Sequence, residues 1–327
     1  MMHQSMNLRL RKHVGVVLEP STGCFDAAGS AWGCIFQDPV GEDYYLYYSG
    51  CTSTSWRKAS IGVAKSTNGT NFVKYDGKPL ISVYGQCITP TVFEAHGKYW
   101  MAFAYSNGLI QPRSLALASA DEPLGPWKVL GQLITPRDPW EGDSIDLGPS
   151  VVNLTDEDHL IYYSNATCGK ISRVFYGRRL VRRLGVLKIE ISDSGKVRCE
   201  RWDHNPLVHL NGKRGAWNES LFCPGYIKSA ERHYLFPATS LYSSGKPFKQ
   251  YVGLIEDFGP FFQNPTYQGI LINGPQEKNH IISNTRSEIA FDTPCPVMRD
   301  DELWLYYACM DRADLVWKTA LSIYSIR

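Results

Sequence analysis

The sequence has no apolar run approaching the roughly 18–20 residues that a membrane-spanning helix needs, so no membrane segment is expected. Its opening residues, MMHQSMNLRLRKH, lack the apolar stretch of a secretory leader, and a cytoplasmic location is the expectation. Net charge is nearly absent: 34 Lys and Arg stand against 32 Asp and Glu, a formal +2. So weak a global field recruits neither nucleic acid nor an acidic membrane, and neither is expected as a partner. No C-x-x-C pair occurs among the nine cysteines, and their odd number leaves at least one thiol unpaired. That fits buried thiols in a reducing compartment better than a disulfide framework. The N-x-[ST] matches at Asn68, Asn153, Asn165 and Asn218 then carry no glycosylation meaning. Also missing are G-x-S-x-G, H-E-x-x-H, G-x-x-x-x-G-K-[ST] and G-x-G-x-x-G, and the eight histidines are dispersed. Nucleophile-elbow, zinc-protease and nucleotide-binding chemistries lose their support, and no cofactor or metal is implied. Sustained 3.6-residue apolar periodicity is scarce too, which predicts little helix.

Aromatic residues, by contrast, are plentiful at 13%, with nineteen Tyr and nine Trp. Many fall in a pattern that returns five times: YYLYYSG from Tyr44, YWMAFAYS from Tyr99, HLIYYSNA from His159, HYLFPATS from His233 and LWLYYACMDR from Leu303. Each copy reads as a strand, most of them after a tight turn such as His96-Gly97-Lys98. A short segment, often with Pro, precedes each copy: CIFQDP, TPTVFE, GPSVVN, CPGYIK and CPVMRD. A third strand-like run follows most copies, as in SIGVAKSTNG from Ser60 and SLALASAD from Ser114. Units of at least three antiparallel strands, repeating at about 54–74 residues, are too long for a solenoid turn and suit the blades of a propeller. The expectation is an all-β chain forming one five-bladed β-propeller domain over residues 1–327, first strands lining a central channel. A β-sandwich of many hairpins is the competing architecture, and it has no reason to repeat five times.

Two intervening pieces stand out. Lys170 to Arg183 is the one dense basic run, with Lys170, Arg173, Arg178, Arg179, Arg182 and Arg183. It reads as a solvated loop or as an anion contact at a site rim, since guanidinium groups pair bidentately with phosphate oxygens. Asn264 to Asn284, with several Gly, Pro and Asn, reads as a long loop before the last unit.

The hairpin phrases GKYWM and YYSG, with SIGVAKSTNG and the stretch Ala118-Ser119 through Pro126-Trp127, resemble glycoside hydrolase families 43 and 130, and blade-like patterning covers nearly the whole chain. The resemblance implies cleavage of a glycosidic bond of a small saccharide or glycoside by water or phosphate, with carboxylates projecting from the inner strands of different blades. A channel Ca²⁺ known from such propellers finds no ligand spacing here. A general acid protonates the departing oxygen while a second carboxylate activates water or supports the oxocarbenium-like transition state.

Acids recur just upstream of, or at, the first segments: Asp26 in FDAAGSAWG, Asp143 and Asp146 in GDSIDLGPSVV, Glu219 in WNESLFCPG and Asp292 in FDTPCPV. A lone Asp beside Gly or Pro more often serves its own turn, but recurrence at one place in a repeat argues for a shared mouth. Asp26 matches the first-blade base of the resembled hydrolases loosely. Asp146 sits three residues before Pro149, where family 43 carries its acid as Glu-Gly-Pro. Glu219, between Trp217 and the Cys223-Pro224 turn, is the preferred acid, because aromatic neighbours desolvate a carboxyl and raise its pKa. Thr89 stands where family 43 presents an orienting Asp, so the usual three-acid set is incomplete. Trp32, Trp140 and Trp217 offer stacking faces for sugar rings against the alternative of core packing. Arg57, Lys58, Arg286 and Glu288 complete the candidates for ligand hydroxyl or phosphate contacts. A repurposed propeller that binds a carbohydrate, or performs other small-molecule chemistry, remains the alternative to a glycosidase or phosphorylase.

Overall fold

The computed structural model describes residues 6–38, 43–108, 112–166, 181–240, 250–272, 288–311 and 313–326. The expected all-β class is what it shows, and among the described residues the only helical pieces are short 3₁₀ turns such as Pro139–Glu141. Among the described residues no helix is long and apolar enough to cross a membrane.

After β1 (Leu8–Leu18), the strands follow one another as five antiparallel meanders. The first is β2 (Gly29–Gln37), β3 (Tyr44–Cys51), β4 (Ala59–Ser66) and the short β5 (Val73–Lys74). The second is β6 (Gln86–Ala95), β7 (Lys98–Ser106), β8 (Ser114–Ala120) and β9 (Lys128–Ile134). The third is β10 (Ser144–Asn153), β11 (Asp158–Ala166), β12 (Leu184–Ile191) and β13 (Val197–Arg201). The fourth is β14 (Ser220–Ser229), β15 (Arg232–Ser240), β16 (Gln250–Asp257) and β17 (Thr266–Ile272). The last is β18 (Glu288–Arg299), β19 (Glu302–Asp311) and β20 (Trp317–Ile326), to which β1 adds as the fourth strand in the order β1-β20-β19-β18. A single parallel bridge, Ala59↔Gln86, joins the first two meanders into one eight-stranded sheet, so the strands fall into four sheets.

All five repeated aromatic phrases lie in second strands, as expected. The fourth strands were not visible in the pattern, because β9 and β13 are half-exposed edges with mixed composition. One expectation is corrected. The stretch from Asn264 is not loop throughout, since Thr266–Ile272 is a strand, its TYQGILI run pairing with β16 despite Gly269 and two register shifts. Turn chemistry fixes the hairpins: His96 (φ 52°) and Gly97 (φ 67°) form the two-residue loop between Ala95 and Lys98, the left-handed pair that matches strand twist.

Second strands are covered on both faces; every residue of β3 is buried. Tyr47, Tyr162 and Tyr306 bury their rings, which is worth roughly 2–3 kcal/mol each before entropy is counted. Their hydroxyls reach carbonyls of the following meander: Tyr47 donates to Pro123 (2.8 Å), Tyr162 to Pro260, and Tyr306 returns to Gly69 of the first meander (2.7 Å). First strands touch first strands, with β10 against β6, β14, β18 and β2. A common inner position for these five strands follows from those contacts.

Candidate active site at the first strands

Each first strand carries a register irregularity near its start: Ala31/Cys34 in β2, Ile88/Thr91 in β6, Leu147/Val151 in β10, Phe222/Gly225 in β14 and Asp292/Cys295 in β18. In four of them a non-glycine residue takes the left-handed conformation there: Trp32 (φ 51°), Thr89 (φ 51°), Cys223 (φ 40°) and Thr293 (φ 45°). Gly148 holds the corresponding place in β10, and a proline follows in every case but the first. A bulge breaks the ladder, so proline's missing N–H costs nothing there, and it re-aims the neighbouring side chains. The bulges also let first strands approach closely. A Cβ added at Gly148 would fall 2.2 Å from the Pro224 carbonyl oxygen, and one at Gly225 would fall 2.1 Å from that of Pro294.

Two carboxylates meet at these bulges. Asp146, buried on β10, accepts hydrogen bonds on Oδ2 from Nη2 of Arg113 (2.7 Å) and of Arg182 (3.0 Å), while its buried Oδ1 makes no hydrogen bond. Arg182 is fixed by donating to the Asn165 carbonyl (2.8 Å) and Ser164 Oγ (3.1 Å), and its guanidinium lies 4.2 Å from the Phe222 ring centre. Asp292, immediately before the left-handed Thr293, remains half-buried, and Oδ1 accepts from the Thr293 N–H (2.7 Å) and hydroxyl (3.1 Å). Burial pushes its carboxyl up to about 6, opposed by Arg182 and Thr293 and assisted by the Asp146 charge. A half-buried carboxyl raised to about 6 has the chemistry a general acid needs at mildly acidic pH. Cys223 shares this environment. Burial and the Asp292 charge push its thiol well up, so it is no thiolate nucleophile.

The other expected residues have partners of their own, Trp32 and Thr89 standing at the bulges of β2 and β6 themselves. Asp26 is fully buried and ion-pairs with Lys74, which also donates to Ser21 Oγ (2.8 Å); its charge pushes the Tyr48 phenol up, after burial. Glu219 is buried in the loop before β14, its Oε2 accepting from the Gly215 N–H (2.8 Å). Trp217 packs against Gly253, where a Cβ would meet its ring at 2.1 Å, and edge-on to Tyr267. Trp140 leans on Tyr163 and Gly185. Trp32 is stacked obliquely between Trp56 (4.1 Å) and Trp317 (5.4 Å). The Thr89 N–H donates to Ser49 Oγ (2.9 Å), which donates to the Trp32 carbonyl, and Thr89 Oγ1 is buried without a hydrogen bond. Asp143 is half-buried just before β10, and Arg57 and Lys58 are exposed just before β4. Arg286, the side chain of Glu288, and Lys170, Arg173, Arg178 and Arg179 of the basic run lie outside the described residues.

Arg113 and Thr293 were not singled out in the sequence. The signal for the arginine was positional: a basic residue stands just before the third strand in each of the first three meanders, as Arg57-Lys58, Arg113 and Arg182-Arg183.

Two other features lie toward the opposite end of β10, and a third, Glu141, stands just before its start. A cavity of about 340 Å³ at that opposite end is lined by Leu154, Asp158, His159, Lys188, Arg198 and Phe261. His96, Glu157 and Asp193 form a group of metal-ligand types, but both imidazole nitrogens are engaged, Nδ1 with Asp193 (2.6 Å) and Nε2 with the Ile191 carbonyl (2.8 Å). Glu141, five residues before Asp146, is fully buried against Arg201 and Tyr163.

No protein-family model matches this sequence. Solved structures do match it over nearly its full length. A glycosyl hydrolase from Bacteroides ovatus aligns at 13% identity and a TM-score of 0.67, covering 98% of this chain and 94% of its own. A thermostable family-43 glycoside hydrolase aligns at 17% identity and 0.57, covering 94% and 92%. The family-43 endo-arabinanase from Bacillus licheniformis aligns at 14% and 0.56, covering 90% and 94%. The chain shares their fold. At such identities the likeness reaches no further than the fold, and the resemblance read from the hairpin phrases is found again as that likeness.

Proposed function

We propose that the five meanders are the blades of a single-domain β-propeller, and that the chain cleaves a glycosidic bond of a small saccharide at the mouth formed by its first strands. The shared fold, the contacts among first strands and the return of Tyr306 to the first meander support the propeller. One observation carries the function: Asp292, half-buried at a bulge with its carboxyl raised to about 6, shares its electrostatic environment with Asp146 and Arg182. In this reading protonated Asp292 gives its proton to the departing glycosidic oxygen as the bond to the anomeric carbon breaks. Asp146, held by two guanidiniums, takes a proton from the water whose oxygen forms the new bond to that carbon.

A second reading rests on blades one to four. The residue before the left-handed position, or before Gly148 in β10, is Ala31, Ile88, Leu147 and Phe222 in turn, so four of the five equivalent places are apolar and only β18, with Asp292, carries an acid there. That pattern suits a propeller turned to binding, or to proton transfer without glycosidic cleavage. Product release from aryl glycosides and short oligosaccharides, with and without phosphate, separates the readings. Turnover lost in both Asp292→Asn and Asp146→Asn supports cleavage, and a phosphate requirement makes it phosphorolysis. Turnover that survives both substitutions removes this carboxylate pair from the chemistry, and a folded protein inactive on the whole panel leaves the second reading.

A further inference from the structure

In the first three blades the start of the third strand lies beside the start of the next blade's first strand. Ala59 N–H donates to the Gly85 carbonyl (3.3 Å) at the seam between blades one and two. Between blades two and three, Ile145 N–H donates to the Arg113 carbonyl (3.2 Å) and Arg113 N–H to Ser144 Oγ (3.2 Å). Between blades three and four, Leu221 N–H donates to the Arg182 carbonyl (3.0 Å) and Arg182 N–H to Ser220 Oγ (2.9 Å). Three contiguous seams thus hold a basic side chain at the same place and at the same end as Asp146 and Asp292. At two of them the arginine turns onto Asp146. The first differs, because Arg57 and Lys58 are exposed and neither has a carboxylate partner among the described residues. At the seam between blades five and one the lysine nearest the start of the third strand, Lys318 inside β20, is already neutralised, lying 2.7 Å from Asp314.

An exposed aromatic stands beside the uncompensated pair. Tyr84, two residues before β6, is 70% exposed, and the Lys58 amine lies 5.5 Å from its ring centre. A flat apolar face open to water beside Lys58, with Arg57 next to it in the chain and neither cation paired with a carboxylate among the described residues, joins the two elements that recognise a sugar carrying a negative charge: the ring's C–H face stacks on the aromatic, and the anion pairs with the cations. We infer that Tyr84, Arg57 and Lys58 form a subsite for an anionic saccharide, one bearing a carboxylate or a phosphate. The inference rests on the saccharide reading above and names its substrate class.

Calorimetric titration of the full chain with three sets of ligands tests it: glucose and galactose, their uronates, and their 6-phosphates, with inorganic phosphate alone as a further probe. The uronates or the 6-phosphates bind on the order of tenfold tighter than the neutral sugars at low ionic strength, and the ratio shrinks as salt rises. Which of the two charged sets leads identifies the anion. Arg57→Gln, at an exposed position where folding is not at stake, lowers that ratio, whereas Tyr84→Ala weakens charged and neutral sugars together. Neutral sugars binding as tightly as charged ones overturns the inference and leaves the saccharide reading standing. Inorganic phosphate binding through Arg57 while no sugar binds removes the saccharide reading and with it the role of Tyr84. Absence of binding by every probe overturns both.

Discussion

Two carboxylate–arginine clusters lie five residues apart in the chain and are built to opposite specifications. Glu141 is fully buried and every lone pair is used: Oε1 accepts from Tyr163 (2.7 Å) and Arg201 Nε (2.7 Å), and Oε2 from the N–H groups of Arg137 (2.7 Å) and Asp138 (3.0 Å) and from Arg201 Nη2 (3.0 Å). Burial raises its pKa, but the hydrogen bonds outweigh burial and hold the carboxyl below its ordinary value. In the second cluster two arginines crowd one oxygen of Asp146, the other oxygen is uncommitted, and Asp292 is pushed up rather than down. Saturation marks a group that holds structure together, whereas a half-satisfied, desolvated and reachable carboxyl costs stability and is kept for chemistry.

The largest effect that would break this contrast is at Glu141. Its replacement by Ala leaves the mostly buried Arg201 with only the half-buried Asp138, 3.5 Å away, as counter-charge and lowers the unfolding free energy by about 3 kcal/mol in denaturant titration, with activity per folded molecule retained. Next comes Asp292→Asn, with the opposite sign. Between the unfolded value of 3.8 and the folded value of about 6, the native state binds a proton that the unfolded chain has released. Stability therefore falls as pH rises through that window, and the Asn variant is more stable than the parent at pH 7 by about 2–3 kcal/mol. The advantage vanishes below about pH 4, and turnover is lost at every pH. Glu141 gives the mirror image: its contribution is present above its unfolded value of 4.5 and is lost as pH falls through the depressed folded value. Asp26→Asn, which weakens the ion pair with Lys74, lowers stability by about 1–2 kcal/mol and leaves turnover in place. Smallest is Glu219→Gln, which keeps an acceptor for the Gly215 N–H and shifts stability by less than about 1 kcal/mol. Complete loss of turnover in either of these last two variants would move the chemistry to the residues that sequence alone favoured.

Much of the fold was legible because it is written locally. Aromatic second strands, their turns and the X-Pro segments ahead of them are contiguous phrases, and five copies are hard to miss. The strand β1 was not legible, since its partner β20 lies some 300 residues away and nothing in Leu8–Leu18 announces the pairing. The site was legible as a neighbourhood. Asp146 and Asp292 were among the acids named, but their rank against Asp26 and Glu219 depends on two things a sequence does not print. One is the backbone: the bulge that turns Thr293 left-handed decides where Asp292 points, and a one-residue offset in a strand reverses the face. The other is the distant partner, because Lys74 claims Asp26 from 48 positions away and Arg182 reaches Asp146 from 36.

The pairing of β1 with β20 also decides how the molecule answers to pulling. Leu8 lies opposite Ile326 and Leu18 opposite Thr319, so the outer ends of the two strands sit side by side. A load applied there separates the strands like the two halves of a zipper, one hydrogen bond at a time, instead of shearing the whole ladder at once. The last sheet would therefore come apart at low force and before the rest, giving up β1 while the four meanders between β2 and β17 keep their own strands.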